Sequence, residues 1–173
     1  MTGVRRVVTG FDPEGRSVVV EDAVLDPAPY GEKGGGVYGL WTTATPPTVP
    51  ADLTPSPVAA LAPEPGGFRA MLLHIPADDS RDWEAFVAQK YGELGVPGIP
   101  GMHATPTVDV CTVLAGTVGL ELDDGVELTL STGDVVVQRG TRHRWHNRGE
   151  DTALLMAVLV GAHRTAGPES PAD

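Results

Sequence analysis

The 173-residue sequence has little of several features, and each shortage excludes a class of protein. Its single cysteine, Cys111, excludes an intrachain disulfide and any metal site built from several cysteines. The longest apolar run, 153–162, has ten residues, whereas a helix that crosses a bilayer needs about 20. Arg5 and Arg6 are followed by too short an apolar stretch for a signal peptide. These shortages predict a cytoplasmic protein that has no membrane partner.

Basic residues are also scarce, because 12 Lys and Arg stand against 23 Asp and Glu, which gives a formal net charge of −11 at pH 7. A surface of this sign repels phosphate backbones, so we expect no nucleic-acid partner. The sequence also lacks a P-loop, a dinucleotide-binding glycine motif and a Gly-x-Ser-x-Gly nucleophile motif. It therefore does not predict a nucleotide-binding protein or a serine hydrolase of the common kinds.

Aromatic residues make up only 5% of the chain, whereas 22 glycines and 16 prolines interrupt it frequently. A chain divided this often favours many short strands over long helices. Apolar residues still account for 41%, which is enough for a core built mainly from Val, Leu and Ala. The length and composition predict one globular domain over 1–173.

The first 75 residues are predicted to contain strands and a long proline-rich loop. Two β-branched runs flank an Asp-Pro-x-Gly turn, which is typical of a hairpin. The predicted elements are a hairpin over 6–9 and 17–21, a loop over 26–36, strands over 37–43 and 68–75, and the proline-rich loop over 44–67. Loops of that length in compact domains are often functional. A short helix is predicted near 80–94, where apolar residues recur with helical spacing.

Residues 100–162 are predicted to form the core barrel. Short β-branched runs between tight turns recur roughly every 8–12 residues there, which is typical of an all-β sandwich or barrel. The sequence Asp123-Asp124-Gly125 is predicted to be one of these turns rather than a calcium site. Residues 163–173 are predicted to be a frayed polar tail.

Residues that could carry chemistry lie at even spacings along the start of this barrel. His103 and Asp109 are six residues apart, and Thr105, Thr107 and Cys111 share their parity. Even spacing along a strand places side chains on the same face of a sheet. We therefore expect these five side chains to point into one cavity.

A second group lies on a later predicted strand, where His143 and Trp145 share a face. If that face also points inward, His143 can meet His103 and Asp109. Two imidazoles and a carboxylate are a workable ligand set for Fe(II), Mn(II), Ni(II) or Zn(II). Three protein ligands also leave positions open for water or substrate, as catalytic metal sites require.

The other histidines are not expected to be catalytic. His146 should face away from His143, which predicts a position at the surface. His74 lies in an apolar strand, which predicts a core histidine with satisfied hydrogen bonds. His163 lies near the tail and should be solvated.

The spacing of these residues resembles the two motifs of the cupins, a superfamily of small β-barrels. The first cupin motif ends with two histidines one residue apart, then an acidic residue, then a glycine six residues beyond it. The second motif contains a glycine, a Pro-x-Gly, a histidine and an asparagine. The corresponding stretches here are His103-x-Thr105-x3-Asp109-x6-Gly116 and Gly133-x4-Gln138-x-Gly140-x2-His143-x3-Asn147.

Three positions depart from the family pattern: Thr105 stands in place of the second histidine, Asp109 in place of glutamate and Gln138 in place of proline. The resemblance, which covers about 100–162, implies a double-stranded β-helix (jelly-roll) barrel with extra N-terminal strands. It implies metal positions at His103, Asp109 and His143, without the usual shell of three histidines and a glutamate. It also implies a small-molecule substrate and a homodimer.

Three functions are open at this point. The first is a metal-dependent dehydratase, cyclase, isomerase or dioxygenase of secondary metabolism, in which His103, Asp109 and His143 are catalytic and hold Fe, Mn, Ni or Zn. The second is a metal-free enzyme in which a histidine is the general acid or base and Asp109 orients it. The third is a barrel that binds a small ligand without chemistry. The residues expected to shape the pocket in each case are Thr105, Thr107, Cys111 and Trp145.

Overall fold

The computed structural model describes residues 3–30, 34–49, 62–77, 85 and 94–164. Over those residues the chain forms eleven β-strands and a 3-10 turn at Asp123–Gly125. The strands are β1 (Val4–Phe11), β2 (Ser17–Leu25), β3 (Ala28–Tyr30), β4 (Gly35–Thr43), β5 (Phe68–Ile75), β6 (Thr107–Ala115), β7 (Thr117–Glu121), β8 (Glu127–Ser131), β9 (Val135–Arg139), β10 (Arg144–His146) and β11 (Ala153–Gly161). No helix in this part of the chain is long and apolar enough to cross a membrane.

Most strands belong to two antiparallel sheets that enclose an apolar core. The larger sheet has six strands in the order β3-β4-β5-β11-β6-β9, and the smaller has three in the order β10-β7-β8. The core combines Leu73 and Leu155 of the larger sheet with Leu120 and Trp145 of the smaller one. β1 and β2 form a separate two-stranded hairpin. This architecture confirms the predicted all-β, jelly-roll fold class.

The alternation of residues along the strands determines which side chains reach the interior. On β11, Leu155, Ala157 and Leu159 are at most 3% exposed, whereas the residues between them are less buried. β6 follows the same alternation and places Asp109 and Cys111 on its buried face. Because side chains in a strand point alternately to the two faces of a sheet, the central strands supply an apolar interior that includes a few polar groups.

The structure agrees with most predicted elements of the N-terminal half. The N-terminal hairpin is formed by β1 and β2, and the strands predicted over 37–43 and 68–75 are β4 and β5. The loop predicted over 26–36 is wrong in part, because Ala28–Tyr30 pairs with the start of β4. Pro29 is compatible with that position, since an edge strand does not donate from every backbone nitrogen.

Three predictions concern residues that the structure leaves undescribed. The helix near 80–94 lies outside the described residues, apart from Ala85 and Leu94. The middle of the proline-rich loop, 50–61, and most of the tail, 165–173, lie outside them as well. These elements stay predictions.

Candidate active site

A cavity lies inside the barrel and contains about 440 Å³ of empty space, part of which is open to solvent. Six side chains of its wall carry a polar group or a thiol: His103, Thr105, Asp109, Cys111, Gln138 and His143. The remainder of the wall consists of Met71, Leu73, Trp145, Leu155, Ala157 and Leu159. A mostly apolar cavity with a few converging polar groups is typical of a site for a small organic molecule. All the predicted site residues except Thr107 line this one cavity.

The two histidines of the cavity are held together by the backbone. The amide nitrogen of His103 donates to the carbonyl oxygen of His143, and the reverse bond is also made, each at 3.0 Å. This isolated antiparallel bridge places the two imidazole centroids 4.4 Å apart. Trp145, two residues further on, packs edge-on against His143 with a centroid distance of 6.1 Å. The arrangement gives the cavity a fixed pair of imidazoles beside an aromatic wall.

Backbone contacts also fix the tautomer of each imidazole. Nδ1 of His103 lies 3.0 Å from the carbonyl oxygen of Gly101, and Nδ1 of His143 lies 2.9 Å from that of Thr141. A carbonyl oxygen only accepts hydrogen bonds, so each Nδ1 carries the proton and each neutral ring has its lone pair on Nε2. Among the described residues, neither Nε2 has a hydrogen-bond partner. Both lone pairs are therefore available to a ligand bound in the cavity.

The surroundings of the pair keep both rings neutral. Burial lowers the pKa of His103, and burial together with the neighbouring His103 lowers the pKa of His143 to about 3. The cause is loss of solvation for the charged form, reinforced by the repulsion that two adjacent imidazolium ions would experience. The sequence hypothesis that Asp109 orients a histidine is wrong, because backbone carbonyls of Gly101 and Thr141 hold both Nδ1 atoms.

Asp109 instead belongs to a polar group with two threonines. Burial raises the pKa of Asp109, and the hydroxyl groups of Thr107 and Thr105 oppose that rise. The two hydroxyl oxygens lie 2.6 Å apart, so one of them donates to the other. Thr107 is buried, and its hydroxyl supports this group without lining the cavity.

Gln138 is a cavity residue that the sequence analysis treated only as a substitute for proline. It is 3% exposed, and its Oε1 lies 4.0 Å from the sulfur of Cys111. Burial, with a smaller contribution from Asp109, raises the pKa of the Cys111 thiol to about 12, so the sulfur is not a ready nucleophile. The alternation of β9 was the signal that could have found Gln138, because it points inward between the exposed Val137 and Arg139.

The sequence profile of the cupin domain (Cupin_2) matches residues 92–159, the segment that contains the histidine pair, Asp109 and Gln138. Residues 92–159 of the chain therefore form a cupin domain. The match confirms the resemblance inferred from the spacing of the two motifs, and the barrel described above is the fold that this resemblance implied.

Proteins similar to part of this chain include proteins from biosynthesis clusters. Phomopsin biosynthesis cluster protein C' of Diaporthe leptostromiformis is 51% identical over 59 residues, which cover 34% of this chain and 31% of that protein. The cupin-domain-containing oxidoreductase virC of Hypocrea virens is 37% identical over 65 residues, which cover 36% and 34% of the two chains. The matched segment is thus about a third of each relative's length. A solved Cupin 2 conserved barrel domain protein from Salinispora arenicola has a TM-score of 0.46 and 20% identity, and the alignment covers 83% of this chain and 90% of that one.

Cupins often bind a metal ion, and the sequence predicts His103, Asp109 and His143 as its ligands. The donor types fit a transition metal, since two imidazole nitrogens and a carboxylate oxygen are suitable ligands. The arrangement of these donors does not fit a metal ion, because the ligand atoms of the three residues are not all within 4.8 Å of one another. Ligands that share one ion at about 2.0–2.2 Å must lie closer than that. The three side chains do not form an assembled metal site, and metal binding there stays a prediction.

A second cluster lies on the smaller sheet. The ligand atoms of Glu121, Glu127 and His146 all lie within 4.8 Å of one another, the one such group in the described part of the chain. Both carboxylates already have cationic partners, because Arg144 lies 2.7 Å from Glu121 and Arg148 lies 2.6 Å from Glu127. Two guanidinium groups at these distances oppose the approach of a further cation. The cluster is best described as an ion-pair network.

The surface position predicted for His146 is wrong. Its ring faces away from the cavity, as the parity indicated, but the residue is only 6% exposed. The Nε2 atom lies 2.6 Å from a carboxylate oxygen of Glu121 on the neighbouring strand β7. Gly119 lies opposite His146 in the register, and a Cβ atom there would lie 3.4 Å from the Cβ of His146. The ring therefore packs over a strand position that has no side chain.

We expect Glu121→Gln to lower the free energy of unfolding at pH 7 by about 1–3 kcal/mol, since it removes charge-assisted hydrogen bonds. The hydrogen bonds from Arg144, chiefly, and His146 lower the pKa of Glu121 below its ordinary value of 4.5. The stabilisation is therefore present above pH 4.5 and is lost as the pH falls through the lowered pKa. Urea unfolding of the wild type and of Glu121→Gln at pH 7 and at acid pH measures this difference in stability. Glu150→Gln is the control, because Glu150 is exposed. An equal difference at both pH values contradicts it.

His74 is buried, as predicted, but the expectation of satisfied hydrogen bonds is wrong. Its Nε2 is buried and has no hydrogen-bond partner among the described residues. The ring lies edge-on to Tyr38 with centroids 5.0 Å apart, on the face of β5 opposite to Met71 and Leu73. It is therefore separated from the cavity by its own strand. His163 is exposed, as predicted.

Proposed function

We propose that this cupin is a biosynthetic enzyme that binds a small organic molecule in the barrel cavity and exchanges protons with it through His103 and His143. The observation that carries the proposal is the pair of buried imidazoles in the cavity wall, 4.4 Å apart between centroids, whose Nδ1 atoms are held by backbone carbonyl groups. The similarity to a phomopsin biosynthesis cluster protein supports a place in secondary metabolism. The cavity wall also includes Leu155, Ala157 and Leu159, which supports a substrate whose main part is apolar.

The chemistry of the pair follows from its environment. One Nε2 removes a proton from a C–H or O–H group of the substrate, and the resulting imidazolium is a strong acid because its charge is buried beside a second imidazole. It therefore returns the proton readily, either to another carbon or to a leaving hydroxyl. The first outcome is an isomerisation, and the second breaks a C–O bond and releases water. Neither reaction requires an oxidant or a reductant.

An oxidoreductase is the second candidate, because one relative with 37% identity over 65 residues is named as one. The cavity wall contains one thiol, that of Cys111, whose pKa is raised to about 12. A two-electron reaction would therefore need a cofactor or metal bound in the cavity. A barrel that binds its ligand without chemistry is the third possibility, and the experiment below separates the proposed function from these two.

The test uses 5-nitrobenzisoxazole, a compound that reports on a buried base. Removal of its ring C–H proton breaks the N–O bond and gives a coloured nitrile phenolate. We expect tag-free protein to accelerate this elimination, with the same rate before and after treatment with EDTA. A rate that is lost with EDTA and restored by one of Fe, Mn, Ni or Zn would replace the proposal with the metal-dependent hypothesis. A rate equal to that of buffer would leave the ligand-binding or oxidoreductase candidates.

We also propose that two copies of the chain associate through the outer face of the larger sheet. Val108 and Val110 on β6 are exposed there, next to Val137 on β9 and Val160 on β11. Contiguous exposed apolar side chains on a sheet face are typical of an interaction surface. The resemblance to cupins implied a homodimer, and this face offers it an apolar surface.

We expect a light-scattering mass of twice 18.0 kDa for the wild type. A charge placed in the middle of an apolar interface should prevent association, so Val110→Lys should give a mass near 18.0 kDa. Val126→Lys is the matched control, because Val126 is also exposed but lies beside β8 of the smaller sheet. A monomeric wild type, or a dimer unaffected by Val110→Lys, contradicts the proposal.

A further inference from the structure

Two polar side chains of the cavity have atoms that the described residues leave without partners. Asp109 and Gln138 are 4% and 3% exposed, and both line the cavity. Oδ1 of Asp109 and Nε2 of Gln138 are buried and have no hydrogen-bond partner among the described residues. The two residues lie opposite each other in the register of β6 and β9. An acceptor and a donor are therefore neighbours on one wall of the site.

Unpaired buried polar atoms are uncommon because a group removed from water loses its hydrogen bonds unless it gains others. Such atoms in a cavity wall are explained when a ligand supplies the missing partners. The acceptor on Asp109 requires a donor from the ligand, and the donor on Gln138 requires an acceptor from it. The local neighbours do not supply them, because the threonine hydroxyls near the Asp109 carboxylate leave its Oδ1 without a partner and the Cys111 sulfur lies near the other atom of the Gln138 amide.

We infer that the cavity recognises its substrate through an uncharged group that carries a hydrogen-bond donor beside an acceptor, such as an amide or a hydroxyl. This inference deepens the proposed function, because it names the substrate group that Asp109 and Gln138 hold while the histidine pair faces the reacting atoms. A carboxylate does not fit, since it offers no donor and would place a second negative charge beside Asp109. An ammonium group does not fit either, since it offers Gln138 no acceptor.

The test measures binding rather than turnover. Isobutyramide, isobutanol, isobutyrate and methyl isopropyl ketone share an apolar body and differ in the polar group. Each is titrated into 15N-labelled protein, and the side-chain amide resonances of Gln138 are identified by their disappearance in Gln138→Met. We expect isobutyramide or isobutanol to shift these resonances and to bind about tenfold more tightly than isobutyrate and the ketone, which is the effect of one hydrogen bond. Whichever of the two binds more tightly identifies the group.

Two variants test the pairing of acceptor and donor. Gln138→Glu removes the donor and should weaken isobutyramide binding about tenfold. The double variant with Asp109→Asn and Gln138→Glu exchanges the amide and the carboxylate between the strands, so binding should return. Asp124→Asn is the control for the Asp109→Asn change, because Asp124 lies at an exposed turn. Since Gln138→Glu buries a charge and can fail to fold, Gln138→Met is a second variant that removes the hydrogen-bond donor without adding a charge.

Three results would overturn the inference. They are binding of isobutyrate or the ketone as tight as that of the better of isobutyramide and isobutanol, binding of that better ligand without movement of the Gln138 resonances, and no binding of either the amide or the alcohol up to its solubility limit. None of these depends on proton transfer. If the wild-type protein binds isobutyramide or isobutanol but does not accelerate 5-nitrobenzisoxazole elimination, the proposed function is contradicted and this inference stands. If it accelerates the elimination but binds neither ligand, the inference is overturned and the proposed function stands.

Discussion

His143→Gln is expected to reduce the rate of 5-nitrobenzisoxazole elimination by about 10²–10⁴-fold, the usual contribution of a positioned acid or base. Glutamine is close to histidine in volume and keeps polar atoms in the cavity, but it has no basic nitrogen. The pKa of His143 is lowered to about 3, so the ring stays neutral well below the ordinary value of 6.5. The rate of the wild type should therefore show no inflection as the pH passes through 6.5. A stopped-flow or plate-reader assay across that range measures both effects.

The partner residue provides a second test of the same idea. If the two imidazoles act as a unit, His103→Gln should reduce the elimination rate about as much as His143→Gln does. The double variant should then reduce the rate only slightly more than either single variant. His163→Gln is the matched control, because the same change is made at an exposed histidine outside the cavity. A double variant with the wild-type rate would show that neither ring is the base. Full multiplication of the two single effects would show that the rings act independently.

Asn147→Ala is expected to lower the free energy of unfolding by about 2–4 kcal/mol, because it leaves the buried carbonyl oxygen of Ile75 and two partly buried backbone groups without partners. Asn147 is 2% exposed, and its Nδ2 donates to the carbonyl oxygens of Ile75 at 2.7 Å and Asp151 at 2.8 Å. Its Oδ1 accepts from the backbone nitrogen of Gly149 at 3.0 Å. One side chain thus connects the end of β5, the segment after β10 and the turn before β11. Urea unfolding followed by tryptophan fluorescence measures the loss.

Two further variants make this prediction specific. Asn147→Asp keeps the acceptor for Gly149 but loses both donated bonds, so its effect should be large and close to that of alanine. Thr129→Ala removes a side chain at an exposed strand position and should change the free energy of unfolding by less than about 0.5 kcal/mol. An Asn147→Ala protein with the same urea midpoint as Thr129→Ala would show that water replaces these bonds without cost.

The fold and much of the cavity could be predicted because they depend on local alternation. The parity of His103, Asp109 and Cys111 placed all three side chains on the cavity wall, and that of His143 and Trp145 did the same. Parity defines the face of a strand, and in a closed barrel one face is the interior.

What could not be predicted depends on contacts between distant segments. His146 was expected at the surface because parity does not reveal that Glu121, 25 residues earlier, accepts a hydrogen bond from its ring. The ligand types of the predicted metal site were present in the sequence, but the separation of their atoms is set by side-chain conformation. The family motif has a proline at the position of Gln138, so the motif does not indicate an inward polar side chain there, whereas the alternation along β9 does.

The separate hairpin of β1 and β2 has a consequence for how the protein opens. Within the described residues its strands pair only with each other, and Arg6 links it to β4 by donating to the carbonyl oxygen of Leu40 at 3.0 Å and lying over the ring of Trp41. Two-stranded hairpins are marginally stable by themselves. Its backbone amides should therefore exchange with deuterium through local detachment, far sooner than those of β11, which has a partner strand on each side. The N-terminal segment can fray and re-form while the barrel around the cavity stays closed.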